Sequence, residues 1–129
     1  MRPYGKRFED YLKIIYVLQT KSGEVRLKEV ANAIGSKPPT ALQYINKLCE
    51  MGLAQYSQGR VKLTERGLKK AEELLSRFEK IRKFFVEVMN MDEKRAEEVA
   101  CLIEHVLDED VIKRMEELRE RIRECTTSS

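Results

Sequence analysis

Cys101, Glu104 and His105 lie inside one short segment, VACLIEHVL, from Val99 to Leu107. Thiolate, carboxylate and imidazole are side chains that ligate divalent transition metals through S, O and N. Val99, Leu102, Ile103, Val106 and Leu107 recur at helical spacing around them. At about 100° per residue the three polar residues fall within an arc of roughly 100° on one helix face. Spacing of i, i+3, i+4 lets a single helix supply all three donors. A charge among apolar neighbours requires compensation, and a metal would provide it by stabilising the ionised ligands. So would a basic partner for Glu104, a hydrogen-bonded His105 and a space-filling Cys101; spacing leaves both readings open. Three donors leave room for water or a further carboxylate. A thiolate argues against Mg²⁺ and Ca²⁺, which prefer all-oxygen sites.

The chain that must position these groups has 129 residues, 42% hydrophobic, enough for a packed core. Charged residues make up 36%, well above the usual quarter. No apolar run reaches the ~18 residues of a membrane helix. The N-terminal MRPYGKRFED has basic residues without the apolar stretch of a signal peptide, so the expected location is cytoplasmic. Three cysteines, Cys49, Cys101 and Cys125, form no disulfide framework. The net charge of +3 is unevenly spread: residues 1–66 hold 12 Lys/Arg against 6 Asp/Glu, and residues 67–129 hold 13 against 16. A basic first half suits a polyanion such as nucleic acid; an acidic second half suits cation binding or self-association.

The pattern along the chain is mainly α. Phe8, Tyr11, Leu12, Ile15 and Leu18 mark a first helix ended by KSGE. Leu27, Val30, Ala31 and Ile34 mark a second, stopped by Gly35. Ser36 to Thr40 is a tight connector, with Pro39 suited to a first helical turn. Leu42, Ile45 and Leu48 form the buried stripe of a third helix, closed by Gly52, and Leu53 to Leu63 reads as a hairpin around Gln58-Gly59-Arg60. Thr64 caps a long helix striped by Leu68, Ala71, Leu75, Phe78, Ile81, Phe85 and Val88. Asp92 caps the helix that holds the opening segment, and Asp108 or Asp110 starts a last one with Val111, Met115, Leu118 and Ile122 as its stripe. This order predicts a winged helix-turn-helix over residues 1–66, followed by a long helix and a further helical unit over 67–129. In a winged helix the third helix enters the major groove. Its polar face carries Thr40, Gln43, Tyr44 and Lys47. Thr40 and Gln43 suit base edges; Lys37, Lys47 and Arg60 suit phosphates. The same residues would also serve a merely solvated helix, or a winged-helix protein-interaction module.

Several motifs resemble the diphtheria-toxin-repressor family of iron- and manganese-dependent regulators: A100-C101-L102-I103-E104-H105-V106, E9-D10-Y11-L12 followed by Ile15-Tyr16, P39-T40 with Gln43, and the T-x-x-G of Thr64 to Gly67. The resemblance covers about residues 7 to 120, and the family's C-terminal SH3-like domain has no counterpart in the sequence. It implies a DNA-binding domain over 1–66 and a linker helix with a metal-binding and dimerisation domain over 67–129, in a repressor that senses Fe(II) or Mn(II), binds a palindromic double-stranded operator as a homodimer, and takes no membrane and no small-molecule substrate. Zn(II), Co(II) or Ni(II) would also occupy such a site in vitro. It implies Asp10 as a ligand beside Cys101, Glu104 and His105, adds Pro39 to the recognition surface, and places dimer contacts on Leu102, Val106, Val111 and Met115. The chain departs from the family at a second metal position. Phe78 and Arg82 replace two of its ligands, Lys13 replaces a Glu, and Glu97 stands where a further His is found. One metal per chain is therefore expected, with Glu97 as a further possible ligand; a site rebuilt from Glu79, Glu97 and Glu98 competes with a solvated face, which is preferred. No separate base in a cleft, Gly-rich phosphate loop or Ser-His-Asp set points to an enzyme. The rival expectation is a winged-helix regulator with a structural metal or none.

Overall fold

The structure, a computed structural model, describes the backbone of residues 3–127 and the side chains of residues 8–125. Most of the basic start of the chain and its last four side chains lie outside that description. Two compact units result, Met1–Leu74 and Leu75–Ser129.

In the first unit, α1 (Pro3–Ser22) is followed by β1 (Val25–Arg26), α2 (Leu27–Ile34), α3 (Pro38–Glu50), β2 (Ala54–Ser57) and β3 (Arg60–Leu63). The stripe expected on α1 is buried: Tyr11, Leu12 and Ile15 are at most 2% exposed and pack with Val30, Ala41, Ile45 and Leu48. Gly35 ends α2 in the left-handed region at φ 81°, its N–H and that of Ser36 both donating to Ala31 O. α3 opens on Pro38-Pro39, where missing N–H groups cost nothing. The hairpin of β2 and β3 is the expected wing, turning at Gln58-Gly59, both at positive φ. Two-residue β1 was not expected; it pairs antiparallel with β3, Val25 opposite Val61, giving the sheet order β1-β3-β2.

A long helix, α4 (Glu65–Glu87), runs through the division between the units. Thr64 caps it as expected, its Oγ1 accepting from Gly67 N–H at 3.1 Å and donating to Gly52 O at 2.7 Å. The compact first unit extends past residue 66 because the first turns of α4 bury Ala71 and Leu74 in its core.

In the second unit, α5 (Glu93–Ile103) and α6 (Glu109–Thr127) complete the fold. Asp92 caps α5, accepting from Arg95 N–H at 3.3 Å. Ile81, Phe85, Ala96, Ala100 and Ile112 form the core. α6 turns out differently from its expected stripe. Its buried face carries Ile112 and Arg119, whereas Val111, Leu118 and Ile122 are exposed and Met115 is half-buried. Arg119, only 5% exposed, bonds to Glu87, Glu116 and Glu120. That hydrogen bonding holds the Glu116 carboxyl below its usual 4.5; Arg82 does the same to Glu79. Carboxylates lowered in the folded state stabilise it fully above pH 4.5 and lose that contribution as pH falls through their lowered values. The melting temperature of the full chain should therefore hold down to about pH 4.5 and fall below it. Glu116→Gln should flatten part of that fall; an unchanged pH slope would show that the Arg119 cluster contributes nothing to it. Among the described residues no helix is long and apolar enough to cross a membrane.

Candidate metal centre and nucleic-acid interface

The metal motif stands at the end of α5 rather than within it. The helix ends at Ile103 with Glu104 as its C-cap, and the chain turns over residues 104–107, where Val106 and Leu107 N–H both donate to Ile103 O. Glu104 keeps helical backbone angles and donates its N–H to Ala100 O, so it holds its place relative to Cys101, and His105 is the first residue past the helix. Leu102 and Val106 are 58% and 61% exposed, not buried; Ala100 and Glu104 take the inward positions. Glu104 is 1% exposed, and His105 Nε2 lies 3.5 Å from its Oε1. Cys101 is exposed on the last turn of α5. Among the described residues no group of three or more His, Cys, Asp or Glu side chains gathers to hold a metal ion. The fit to a transition metal is thus one of chemistry and of a pair: a carboxylate oxygen and an imidazole nitrogen, both buried and adjacent, of the donor types such ions prefer.

The turn is held from α4. Arg77 Nη2 donates to Glu104 O at 2.5 Å and Leu107 O at 2.8 Å, while its Nη1 pairs with Glu109. Sequence reading missed Arg77, since an arginine on an amphipathic helix carries no signal of its own. Further along α4, Arg82 forms a bidentate pair with Glu79 and reaches Glu93 at 3.4 Å. Glu79 is thus engaged with a guanidinium, Glu98 pairs with Arg95, and Glu97 is exposed. Phe78 packs against the second core.

In the first unit, Asp10 is half-buried on α1, its Oδ1 lying 3.9 Å from the ammonium of Lys13, itself only 9% exposed. One turn of α1 also sets the recognition helix. Tyr11, fully buried, hydrogen-bonds Ser36 across the α2–α3 connector at 2.7 Å and stacks on Tyr44 of α3, ring centroids 4.7 Å apart. Tyr44 is consequently half-buried and serves packing, unlike its exposed neighbours. Pro39, Thr40, Gln43 and Lys47 are exposed, and helical geometry places them within about 100° of one another on α3. Lys37 is exposed at the N-cap. Arg60, on the wing, pairs with Glu24 at 3.1 Å.

A helix-turn-helix with a small three-stranded sheet, followed by a helical unit, defines a winged-helix protein. The comparisons carry this to a family. A model described as the iron dependent repressor N-terminal DNA binding domain matches residues 4–61, and one described as the iron dependent repressor metal binding and dimerisation domain matches residues 64–129. The chain belongs to this family of iron- and manganese-dependent repressors, whose members are transcriptional regulators, not enzymes. It is 30% identical to an HTH-type transcriptional regulator of Methanocaldococcus jannaschii, over 93% of this chain and 98% of that one. It is also 30% identical to the HTH-type transcriptional regulator MntR of Lysinibacillus sphaericus, over 85% of this chain and 79% of that one. A solved manganese-dependent transcriptional repressor complex with manganese superposes with a TM-score of 0.80 at 28% identity, covering 88% of this chain and 52% of that one. The chain thus spans about half the length of that solved structure.

Proposed function

We propose that this protein is a cytoplasmic, homodimeric repressor that binds a palindromic operator when it holds a divalent transition metal, Fe(II) or Mn(II). The observation that carries this reading is the buried Glu104 beside His105 Nε2 at 3.5 Å, inside the segment matched to a metal-binding domain. Cys101 and Asp10 are the further donors, and Glu97 is a possible additional one. A bound ion supplies the positive centre that compensates the buried carboxylate. Pro39, Thr40, Gln43 and Lys47 form the recognition surface, with Tyr44 packed behind it and Lys37 and Arg60 on phosphates. The apolar stripe of Val111, Leu118 and Ile122 along α6, with exposed Leu102 and Val106, supports pairing of two chains. Symmetric pairing would set two recognition helices against two half-sites.

A second reading, a winged-helix regulator indifferent to metal, is favoured by the lack of a three-donor cluster among the described residues. Selection of duplexes from a randomised library by metal-stripped and metal-loaded protein separates the two. The first reading expects a palindromic consensus and binding about 5- to 150-fold tighter with metal. Equal binding with and without Mn(II), Fe(II) or Zn(II) supports the second. In the same selection Gln43→Ala should blur the consensus at one position per half-site while leaving metal affinity alone. An unchanged consensus would remove Gln43 from base reading.

A further inference from the structure

We propose that Arg77 is a positioning residue for the metal centre, setting the Glu104–His105 turn through its main chain. This rests on the reading that Glu104 and His105 hold the ion. The last carbonyls of a helix lack intrahelical partners and carry the negative end of its dipole. At the end of α5 two carbonyls beyond the last helical residue, those of Glu104 and Leu107, accept from the same Nη2 of Arg77. Nη1 of the same guanidinium pairs with Glu109 in the first turn of α6. One rigid planar fork therefore spans the whole turn, from the carbonyl of a candidate ligand to the start of the next helix. Fixing the Glu104 carbonyl fixes the peptide plane between Glu104 and His105. That plane sets the direction from which both side chains leave the backbone. The Arg77 side chain is 21% exposed and its two carbonyl bonds are part-buried, whereas the Glu109 pair is exposed. No side chain of Arg77 is needed at the ion: it acts one bond away, as outer partners of metal ligands do. A lysine at this place keeps the charge but has no fork.

The test uses the full chain and two readouts. In metal-free protein, Arg77→Met should speed amide exchange at Val106 and Leu107 by about tenfold or more, leaving the amides of the first unit unchanged. In cobalt(II) titrations followed by absorbance, Arg77→Met should bind about 10- to 100-fold more weakly than native protein. Arg77→Lys should recover only part of the loss. Glu109→Gln, which spares both carbonyl bonds, should stay within about threefold of native. Cobalt affinity of Arg77→Met within about threefold of native overturns the proposal, as does a loss in Glu109→Gln equal to that in Arg77→Met, which marks a mere structural ion pair. Should Arg77→Met fail to fold, Arg77→Lys decides by the same thresholds. If native protein takes up no cobalt, the metal reading fails, while the exchange rates still decide whether Arg77 sets the turn.

Discussion

Gly67→Ala should lower the melting temperature of the chain by more than about 10 °C, as followed by calorimetry. In an open helix interior this change stabilises by about 1 kcal/mol, because alanine is the better helix former. Here the sign reverses. A Cβ on Gly67 would stand 1.9 Å from Leu53 O and 2.9 Å from Leu53 C. The obstacle is main chain, so no rotamer relieves it. That carbonyl already accepts from Thr64 N–H at 3.0 Å, and the Thr64 hydroxyl binds Gly52 O. Pushing α4 away would strain the cap and the wing together. Overpacking of this kind costs about 3 kcal/mol or more, a large part of the stability of a small unit. Gly59→Ala is the control: its Cβ meets open space and its cost is only that of a left-handed alanine, about 1 kcal/mol. A Gly67→Ala protein melting within about 2 °C of native would show that α4 is free to move off Leu53. The T-x-x-G motif thus has a physical meaning: threonine caps the helix, and glycine lets its first turn lie on the chain that enters the wing.

Local chemistry made most of the fold legible. Gly35 as a left-handed stop, Thr64 and Asp92 as caps, and the α1 stripe all act within a few residues of themselves. What escaped the sequence is settled at long range. β1 is two residues long and exists only because Val25 and Arg26 meet Val61 and Arg60. The end of α5 is hidden because Val106 and Leu107 continue its apolar period with no glycine or proline to stop it. The stop is the turn closed on Ile103 O and held by Arg77. Tyr44 reads as part of a polar face, yet its ring packs on Tyr11. On α6, periodicity selects Val111, Leu118 and Ile122, but the single chain buries Ile112 and Arg119 instead. The exposed apolar stripe lies about 100° around the helix from the buried Ile112 and Arg119, so periodicity alone does not say which face the chain buries. The motif residues divide the same way. Glu104 and His105 meet, as their adjacency allows, whereas Cys101 lies on the exposed side of the last turn of α5.

Glu104→Gln should abolish the response of operator binding to metal. The substitution keeps side-chain volume while turning one acceptor oxygen into an N–H2 donor, so a residue 1% exposed can be exchanged without opening a cavity. It removes the negative charge, and a neutral amide is a poor ligand for a divalent ion. Native protein should bind its selected duplex about tenfold or more tighter with Mn(II) or Fe(II) than without. The variant should bind equally in both conditions, at the level of metal-free native protein, and calorimetric titration should show its metal affinity lost. Its sequence-independent, salt-sensitive attraction to DNA should persist, since Lys37, Lys47 and Arg60 are untouched. Cys101→Ala should fall between the two, because an exposed thiol is the ligand most readily replaced by water. The opposite assignment makes a distinct prediction. If Glu104 is only a structural carboxylate for the end of α5, the variant loses thermal stability and keeps its full metal response. A Glu104→Gln protein that still tightens on its operator with Mn(II) would remove Glu104 from the site, and with it the buried pair on which the metal reading rests.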